Sequence, residues 1–383
     1  MAGPVAVVWD EALAAYDFGP EHPLRPGRVQ LTMALARACG LLGPARLLAP
    51  AAVSGTDLAR VHELDYLAAV KAAGDGRPAP QFGFGPGDNP PFPGMHEAAA
   101  RVCGATVAAA EAVRSGRARH AFSPAGGLHH AMPNRASGFC VYNDPAVAIA
   151  WLLDQGVERV AYVDVDVHHG DGVEAIFAGE PRVLTVSLHE SGRFLFPGTG
   201  FAHEVGQGAA KGSIANLPLP PSTTDDLYLA AFDALVPALV RAFQPELLVT
   251  QLGCDTHYSD PLAHLGLTVN AYRQLAGRLH DLAHTVTGGR WLATGGGGYQ
   301  WAAVVPRAWC AYLAEMVRAE LPERLPAAYL DQAAERFGAA LDPDMADEVV
   351  ALRTEHRARV EAELGRTIEV ARNHLFPLHG LNV

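Results

Sequence analysis

The segment Asp164-Val165-Asp166-Val167-His168-His169-Gly170-Asp171 sets three carboxylates and two imidazoles within eight residues, directly after the apolar, β-branched run Arg159–Val163. A solvated Asp/His-rich loop is the bland alternative. In a buried parallel strand the same groups are costly, because each unpaired charge loses several kcal/mol of hydration unless a cation or a partner offsets it. Alternation along an extended chain predicts Asp164, Asp166 and His168 on one face. A second strand-like run, Glu246–Leu252, ends in Gly253-Cys254-Asp255-Thr256-His257. Asp166, His168 and Asp255 thus offer three N/O ligands from two strands and leave a fourth position for water, the plan of a catalytic rather than a structural zinc site. Two carboxylates and one imidazole suit Zn²⁺ and also tolerate Fe²⁺.

Upstream, His120–Ser123 leads into Gly126-Gly127-Leu128-His129-His130 and then Ser137-Gly138-Phe139-Cys140-Val141-Tyr142-Asn143-Asp144. Paired histidines after a glycine turn can be a ligand pair, a general acid/base pair or two satisfied core histidines. Because the metal has its ligands elsewhere, acid/base work is the favoured reading. Asp164 and Asp171 are the carboxylates available to fix their tautomers and raise their basicity. Near the far end, Trp291–Thr294 runs into Gly295-Gly296-Gly297-Gly298-Tyr299. No G-x-x-x-x-G-K-[ST] or G-x-G-x-x-G context follows, so a nucleotide site is poorly supported. The glycines permit close backbone approach, and Tyr299 can then project toward the metal as a hydroxyl donor to developing negative charge.

These groups need a scaffold that delivers strand ends to one place. Short apolar runs recur at Val5–Trp9, His120–Ser123, Arg159–Val165, Arg182–Leu188, Glu246–Leu252 and Trp291–Thr294, separated by helical patterns that include Glu97–Arg114, Pro145–Leu153, Asp225–Phe243 and Ala271–Thr287. Strand alternating with helix predicts an α/β chain with a mostly parallel sheet covered on both faces. Ligands of such folds bind beyond the carboxyl ends of the strands, where the candidate residues lie. The Pro/Gly-rich stretch Pro78–Gly94 reads as a surface loop before a helix starting near Met95. From about Leu321 to Val383 the pattern is helical, clearest over Asp344–Leu364, and Asn373–Pro377 reads as a docking tail; no chemistry is assigned there.

Of 383 residues, Lys+Arg number 29 against Asp+Glu 41, for a net charge of −12; the only lysines are Lys71 and Lys211, and histidines number 17. Scattered, outnumbered basic residues argue against a nucleic-acid binder. The lysine scarcity reads as a coding bias across the proteome and is given no functional weight. Five cysteines, odd in number and without a C-x-x-C pair, write neither a disulfide framework nor a thiolate metal site and fit a reducing compartment. The N-terminus lacks a basic n-region and no apolar run reaches about 18 residues, so a cytoplasmic protein that does not span a membrane is expected.

In this order the blocks HPLRPGR from His22, GGLHHA from Gly126, SGFCVYND from Ser137, DVDVHHGDG from Asp164, FPGTG from Phe196, QLGCDTH from Gln251 and GGGGY from Gly295 resemble the histone deacetylase superfamily, of the arginase/deacetylase fold. DNPPFPGMHE from Asp88 and DPLAHL from Asp260 look most like its bacterial acetoin-utilisation branch. The resemblance implies a single catalytic domain over residues 1–320, built on an eight-stranded parallel sheet; by its helical pattern, 321–383 reads as an extension that packs on this domain or on a partner subunit. It implies one zinc, held by Asp166, His168 and Asp255, at the base of a tunnel that takes an acetyl-lysine side chain of a protein or peptide. His129 and His130 would be the acid/base pair, with Asp164 behind the first and Asp171 behind the second, and Tyr299 would bond the acyl oxygen. Gly138, Phe139 and Phe196 would line the tunnel, Asp88 would hold the substrate backbone at the rim, and Arg28 would stand in a channel that releases acetate. A structural potassium ion would lie beside Asp164, Asp166, His168, Ser187 and Leu188.

Three rivals bear on this reading. A ureohydrolase with two manganese ions needs further carboxylates, but Gly170 and His257 stand where they would be. An acetylpolyamine deacetylase favours an acidic gatekeeper, and the corresponding position is the apolar Leu262. An inactive binding module would not need competent residues at every catalytic position. The sequence leaves the physiological substrate, the acyl chain length and the oligomeric state open.

Overall fold

In the computed structural model, which describes residues 4–383, the apolar runs become strands of one sheet: β1 (Val5–Val8), β2 (Ala45–Leu48), β3 (His120–Ser123), β4 (Val160–Asp164), β5 (Val183–Glu190), β6 (Ile214–Leu219), β7 (Leu247–Gln251) and β8 (Trp291–Thr294). They lie side by side in the order β2-β1-β3-β8-β7-β4-β5-β6, every neighbouring pair parallel. Parallel strands need long crossovers, and the helices that supply them cover both faces. Six strands are the runs read from sequence, with ends shifted by at most two residues. The two unread strands, β2 and β6, are the edges of the sheet. β2 is short and half-solvated, with Leu47 48% exposed, and β6 carries Pro218, which an edge strand tolerates because one side of its backbone needs no ladder bond. Neither therefore shows the uniformly β-branched signature of a central parallel strand.

The helices begin and end for local reasons. Asn143 accepts from the Ala146 N–H at 3.0 Å and Pro145 occupies the first turn of helix Asp144–Asp154. Helix Val269–Thr287 starts on a Thr268 cap and stops at Gly288, whose left-handed conformation suits glycine. Helix Met95–Arg114 is alanine-rich on its inner face and packs against helix Asp144–Asp154. Beneath the sheet's carboxyl end, Trp309 donates to the Leu252 carbonyl at 2.8 Å, so a large apolar ring underpins the end of β7 without stranding its N–H.

The C-terminal expectation needs correction. Residues 344–353 are not helical; the helix is Thr354–Leu375. Its buried stripe, Val360, Leu364, Ala371 and Leu375, runs on at helical spacing past the point where the sequence reading stopped. This stripe packs on helix Asp225–Phe243 and on β6, covering an edge strand. The tail docks on its own chain: Leu375 and Phe376 are buried, and His379 lies 2.9 Å from the Gly212 carbonyl. Among the described residues no helix is long and apolar enough to cross a membrane.

Candidate active site and metal centre

Strands β3, β8, β7 and β4 are consecutive in the middle of the sheet, and the segments that follow them carry the candidate residues. β4 ends at Asp164, so simple strand alternation does not carry through to His168 as the sequence reading supposed. The chain instead makes successive Asx turns: Asp164 Oδ1 accepts from the Asp166 N–H at 3.1 Å, and Asp166 Oδ1 accepts from the His168 N–H at 3.0 Å. Asp255 Oδ1 accepts from the Val167 N–H at 2.9 Å, fastening the end of β7 to the same turn.

These turns bring Asp166, His168 and Asp255 together, with one ligand atom of each within 4.8 Å of the others, and all three are buried. His168 Nδ1 lies 3.2 Å from Asp166 Oδ1 and 3.1 Å from Asp255 Oδ2. Burial disfavours a charged His168, but the two carboxylates outweigh it and hold the imidazole up at about 10. Burial and the neighbouring Asp166 push Asp255 up to about 7, whereas Asp166, despite burial, is kept below the ordinary carboxylate range by His129 and His168. Two carboxylates and an imidazole so placed are short of positive charge, and their donor chemistry fits a divalent cation. Gly253 and Gly297 leave the room: a Cβ on Gly253 would strike Asp166, and one on Gly297 would strike Asp255. Gln251, which the sequence reading passed over, donates to Asp166 Oδ2 at 2.7 Å, as does the Gly297 N–H at 2.7 Å.

Beside this trio the Nε2 atoms of His129 and His130 face each other at 3.0 Å. Behind them, His129 Nδ1 is 2.7 Å from Asp164 Oδ2 and His130 Nδ1 is 2.6 Å from Asp171 Oδ1. With each Nδ1–H donated to a carboxylate, one proton fits between the two Nε2 atoms, so the pair carries one charge. The environments divide it unequally. Burial opposes a charge on His129, but Asp164 and Asp166 lift it to about 9; burial and the charge on His129 press His130 down to about 4 against the pull of Asp171. Asp164 also accepts from the Tyr162 hydroxyl at 2.7 Å, and the Asn143 amide donates to the His129 and Ala131 carbonyls at 3.0 Å. The turn before the histidines is held by Asp144, which accepts from the Gly127 and Leu128 N–H groups at 3.0 and 2.8 Å. No pattern in the sequence marks Asp144 for this part.

Tyr299 follows the glycine run and packs edge-on to Phe139 at 5.6 Å, with the His168 ring 6.5 Å away. Burial, then the Asp255 and Asp166 charges, raise its phenol well above the usual range, so it is a hydroxyl donor. Its backbone N–H donates to Asp260 Oδ2 at 2.9 Å, while Asp260 Oδ1 accepts from the Leu262 N–H at 3.0 Å. Asp260 was missed as a site residue, although its segment was noted. Leu262 itself is half-buried on the same loop.

Gly138 sits against His130, where any Cβ would strike the ring, and Phe196 stands 5.1 Å from His130, edge to face. Gly138, Phe139, Arg28 and Tyr299 line one cavity with both histidines and Asp166. Arg28 is buried, donates to the Gly296 carbonyl at 2.6 Å and lies over the Trp309 ring at 5.2 Å. Asp88 is exposed on the loop that also lines a cavity with Gly138; His22 Nε2 lies 3.2 Å from the Asp88 carbonyl, and the His22 ring packs on Phe139 at 4.5 Å. Ser187 and Leu188 are buried on β5, with Ser187 directly opposite Asp164 in the ladder.

His257 does not join the Asp166, His168 and Asp255 cluster. Its Nε2 lies 3.1 Å from Asp347, whose other oxygen accepts from Arg307 at 2.8 Å; the Val269 N–H donates to Asp347 at 2.8 Å. The segment to which no chemistry was assigned therefore anchors the loop after β7. Although burial opposes it, bonds from His257, Val269 and Arg307 hold the Asp347 carboxyl well below the usual range. A carboxyl depressed in the folded state stabilises above its unfolded pKa of about 3.9, and that contribution fades only as pH falls toward the folded value. Asp347→Asn is expected to cost about 3 kcal/mol, the lower end for breaking a buried pair. Urea unfolding at pH 7 and pH 5 checks this: the two gaps should match and should narrow below pH 3, and a gap under about 0.5 kcal/mol at pH 7, the size of an ordinary surface change, would refute the anchor.

Comparison with known proteins is consistent across sequence and structure. A histone deacetylase domain matches residues 22–316. The acetoin utilization protein AcuC of Bacillus subtilis (strain 168) is 44% identical over 313 residues, 81% of each chain, and AcuC of Staphylococcus aureus (strain MRSA252) is 38% identical over 308 residues, 79% of each. The crystal structure of an HDAC homolog from Aquifex aeolicus superposes with a TM-score of 0.84 at 29% identity, covering 96% of this chain and all of that one; an HDAC homolog complexed with SAHA matches equally well. The chain belongs to the histone deacetylase family, in its acetoin-utilisation branch, and is a hydrolytic deacetylase.

Proposed function

We propose that this deacetylase removes acetyl or short acyl groups from lysine side chains of proteins or peptides, releasing the carboxylate and the free amine. The observation that carries the reading is the carboxylate-backed histidine pair, Nε2 to Nε2 at 3.0 Å, beside the Asp166, His168 and Asp255 trio. Those three would hold Zn²⁺ or Fe²⁺, which when bound supplies a Lewis acid that polarises the acyl carbonyl and acidifies a water molecule. His130, the neutral member of the pair, accepts a proton at Nε2 as that water attacks. The pair returns a proton to the amine nitrogen as the C–N bond breaks. Tyr299 donates to the oxyanion that develops on the acyl oxygen. Gly138, Phe139 and Phe196 flank the extended side chain, and Asp88 receives the substrate backbone at the rim. Arg28 draws the carboxylate product inward. Beside the strand ends, Asp164, Asp166, His168, Ser187 and Leu188 would take a potassium ion that stiffens the turn.

Exposed aromatics support a peptide substrate, since Phe194, Phe196 and Tyr258 present large apolar rings. Leu262 offers no charge to a polyamine. A small-molecule amide such as an acetylpolyamine remains the second reading because Asp88 is a free rim carboxylate. Chain composition fits a substrate in trans, as the protein has only two lysines of its own. Localisation in the cytoplasm accords with five free cysteines.

Two measurements test this. Chelation is expected to abolish turnover and Zn²⁺ or Fe²⁺ to restore it; activity that survives metal removal would end the metal role. Acetyl-lysine peptides should exceed acetylspermidine and acetylputrescine in kcat/KM by at least about tenfold, roughly 1.4 kcal/mol of transition-state preference. The reverse order assigns the site to polyamines.

A further inference from the structure

At the amino end of the sheet, opposite the active site, three histidines meet outside the machinery described so far. His120 opens β3, while His280 and His284 are one turn apart on helix Val269–Thr287. One nitrogen from each lies within 4.8 Å of the others, and the rings are mutually edge-on, with centroids 4.6 to 5.2 Å apart. We propose that His120, His280 and His284 form a second metal site, for an imidazole-preferring divalent ion such as Zn²⁺, with Glu315 as the carboxylate that orients His280.

The tautomers carry the argument. His280 Nδ1 lies 2.9 Å from Glu315 Oε1 and therefore bears the proton, leaving Nε2 as a bare lone pair. That lone pair faces His120 Nε2 at 3.1 Å. Two nitrogens bound at 2.0–2.1 Å in a tetrahedral arrangement stand about 3.3 Å apart, so the pair is already near the spacing a metal imposes. If His120 instead donated from Nε2 to His280, its Nδ1 would be an unprotonated atom that is buried and has no hydrogen-bond partner among the described residues. A cation on both Nε2 atoms moves the His120 proton to Nδ1 and puts both facing lone pairs to use; the Gly289 backbone favours a proton on this ring. A carboxylate behind a ligating imidazole is the usual support of such a ligand. His284 is exposed and supplies the third ligand from the solvent side, leaving a fourth position to water.

Positive charge nearby does not close the site. Arg318 bonds Glu315 at 3.0 Å, and Arg119 donates to the Gly288 carbonyl at 2.8 Å. Burial and its two histidine neighbours press His120 down to about 3, and burial also lowers His280 and His284, so all three favour the neutral form that binds metal. Such an ion ties β3 to a helix 160 residues later in the chain.

The test is zinc stoichiometry of the untagged, zinc-saturated and desalted full chain. The intact protein should retain two equivalents, and His284→Ala, a surface change, should retain one with deacetylation unchanged. Asp255→Asn should also retain one, but lose activity, which separates the two sites. Glu315→Gln keeps all ligands and should weaken the second zinc about 10- to 100-fold, as loss of a ligand's orienting partner does. A single equivalent in the intact chain, or two in His284→Ala, overturns the proposal. Should Asp255→Asn keep both ions while His284→Ala loses one, the second site stands and the active-site assignment fails.

Discussion

His130→Gln is expected to lower kcat by about 10²- to 10⁴-fold, the span of a positioned acid/base group, while leaving bound metal and KM near the intact values. Glutamine occupies similar space and can still bond Asp171, but it cannot take a proton from water at Nε2. The two-histidine geometry sharpens the expectation. One proton is shared across 3.0 Å, so removing either imidazole destroys the shuttle rather than halving it. The double variant His129→Gln/His130→Gln should thus be little worse than either single one, because residues that act as a unit lose their effect together. Single-turnover kinetics with metal analysis decides between this and collapse of the metal trio. If His130→Gln retains more than about a tenth of the intact turnover, less loss than one such group accounts for, the base role is wrong.

Tyr299→Phe removes one hydroxyl and nothing else. Burial and the Asp255 and Asp166 charges keep that hydroxyl protonated, hence a donor at any working pH. Its loss should cost roughly 10²–10³ in turnover, the usual effect of one oxyanion donor, with smaller change in KM because the charge it meets arises only on the way to the tetrahedral species. The pH profile should keep its shape, since a group that does not titrate cannot move it. Asp260 provides a graded companion. It holds the Tyr299 backbone through a 2.9 Å bond, so Asp260→Asn should retain the phenol but loosen its placement, giving a milder loss. Unchanged turnover in Tyr299→Phe would remove the tyrosine from the mechanism.

Which parts of the molecule were legible follows from physics. The four central strands are buried on both faces and read as continuous apolar runs, whereas β2 and β6 are edges whose exposure and proline dilute the signal. The clustering of Asp166, His168 and Asp255 was legible because Asp and His are expensive where they stand; the path by which they converge was not. Asx turns after Asp164, rather than alternation along β4, aim Asp166 and His168 at Asp255, and such turns are invisible to periodicity. Supporting residues were harder still. Gln251 ends an apolar strand like any polar terminus, and only its 2.7 Å bond to Asp166 distinguishes it. Asp347 lies in a weakly patterned stretch 90 residues from its partner His257, with no local sign of the pairing.

That distant aspartate also sets where the molecule can be divided. The family match ends at residue 316, yet Asp347 grips the loop that carries Asp255 and Asp260, and Val360 through Phe376 seal β6 and its neighbouring helix. The end of the family match is therefore not the end of the packed unit. A chain trimmed to the matched region would bare an apolar edge at one side of the sheet and leave Arg307 and His257, both buried, without their shared counter-charge. Any replacement for residues 317–383 would have to fill both roles: a carboxylate for Arg307 and His257, and an apolar cover for β6.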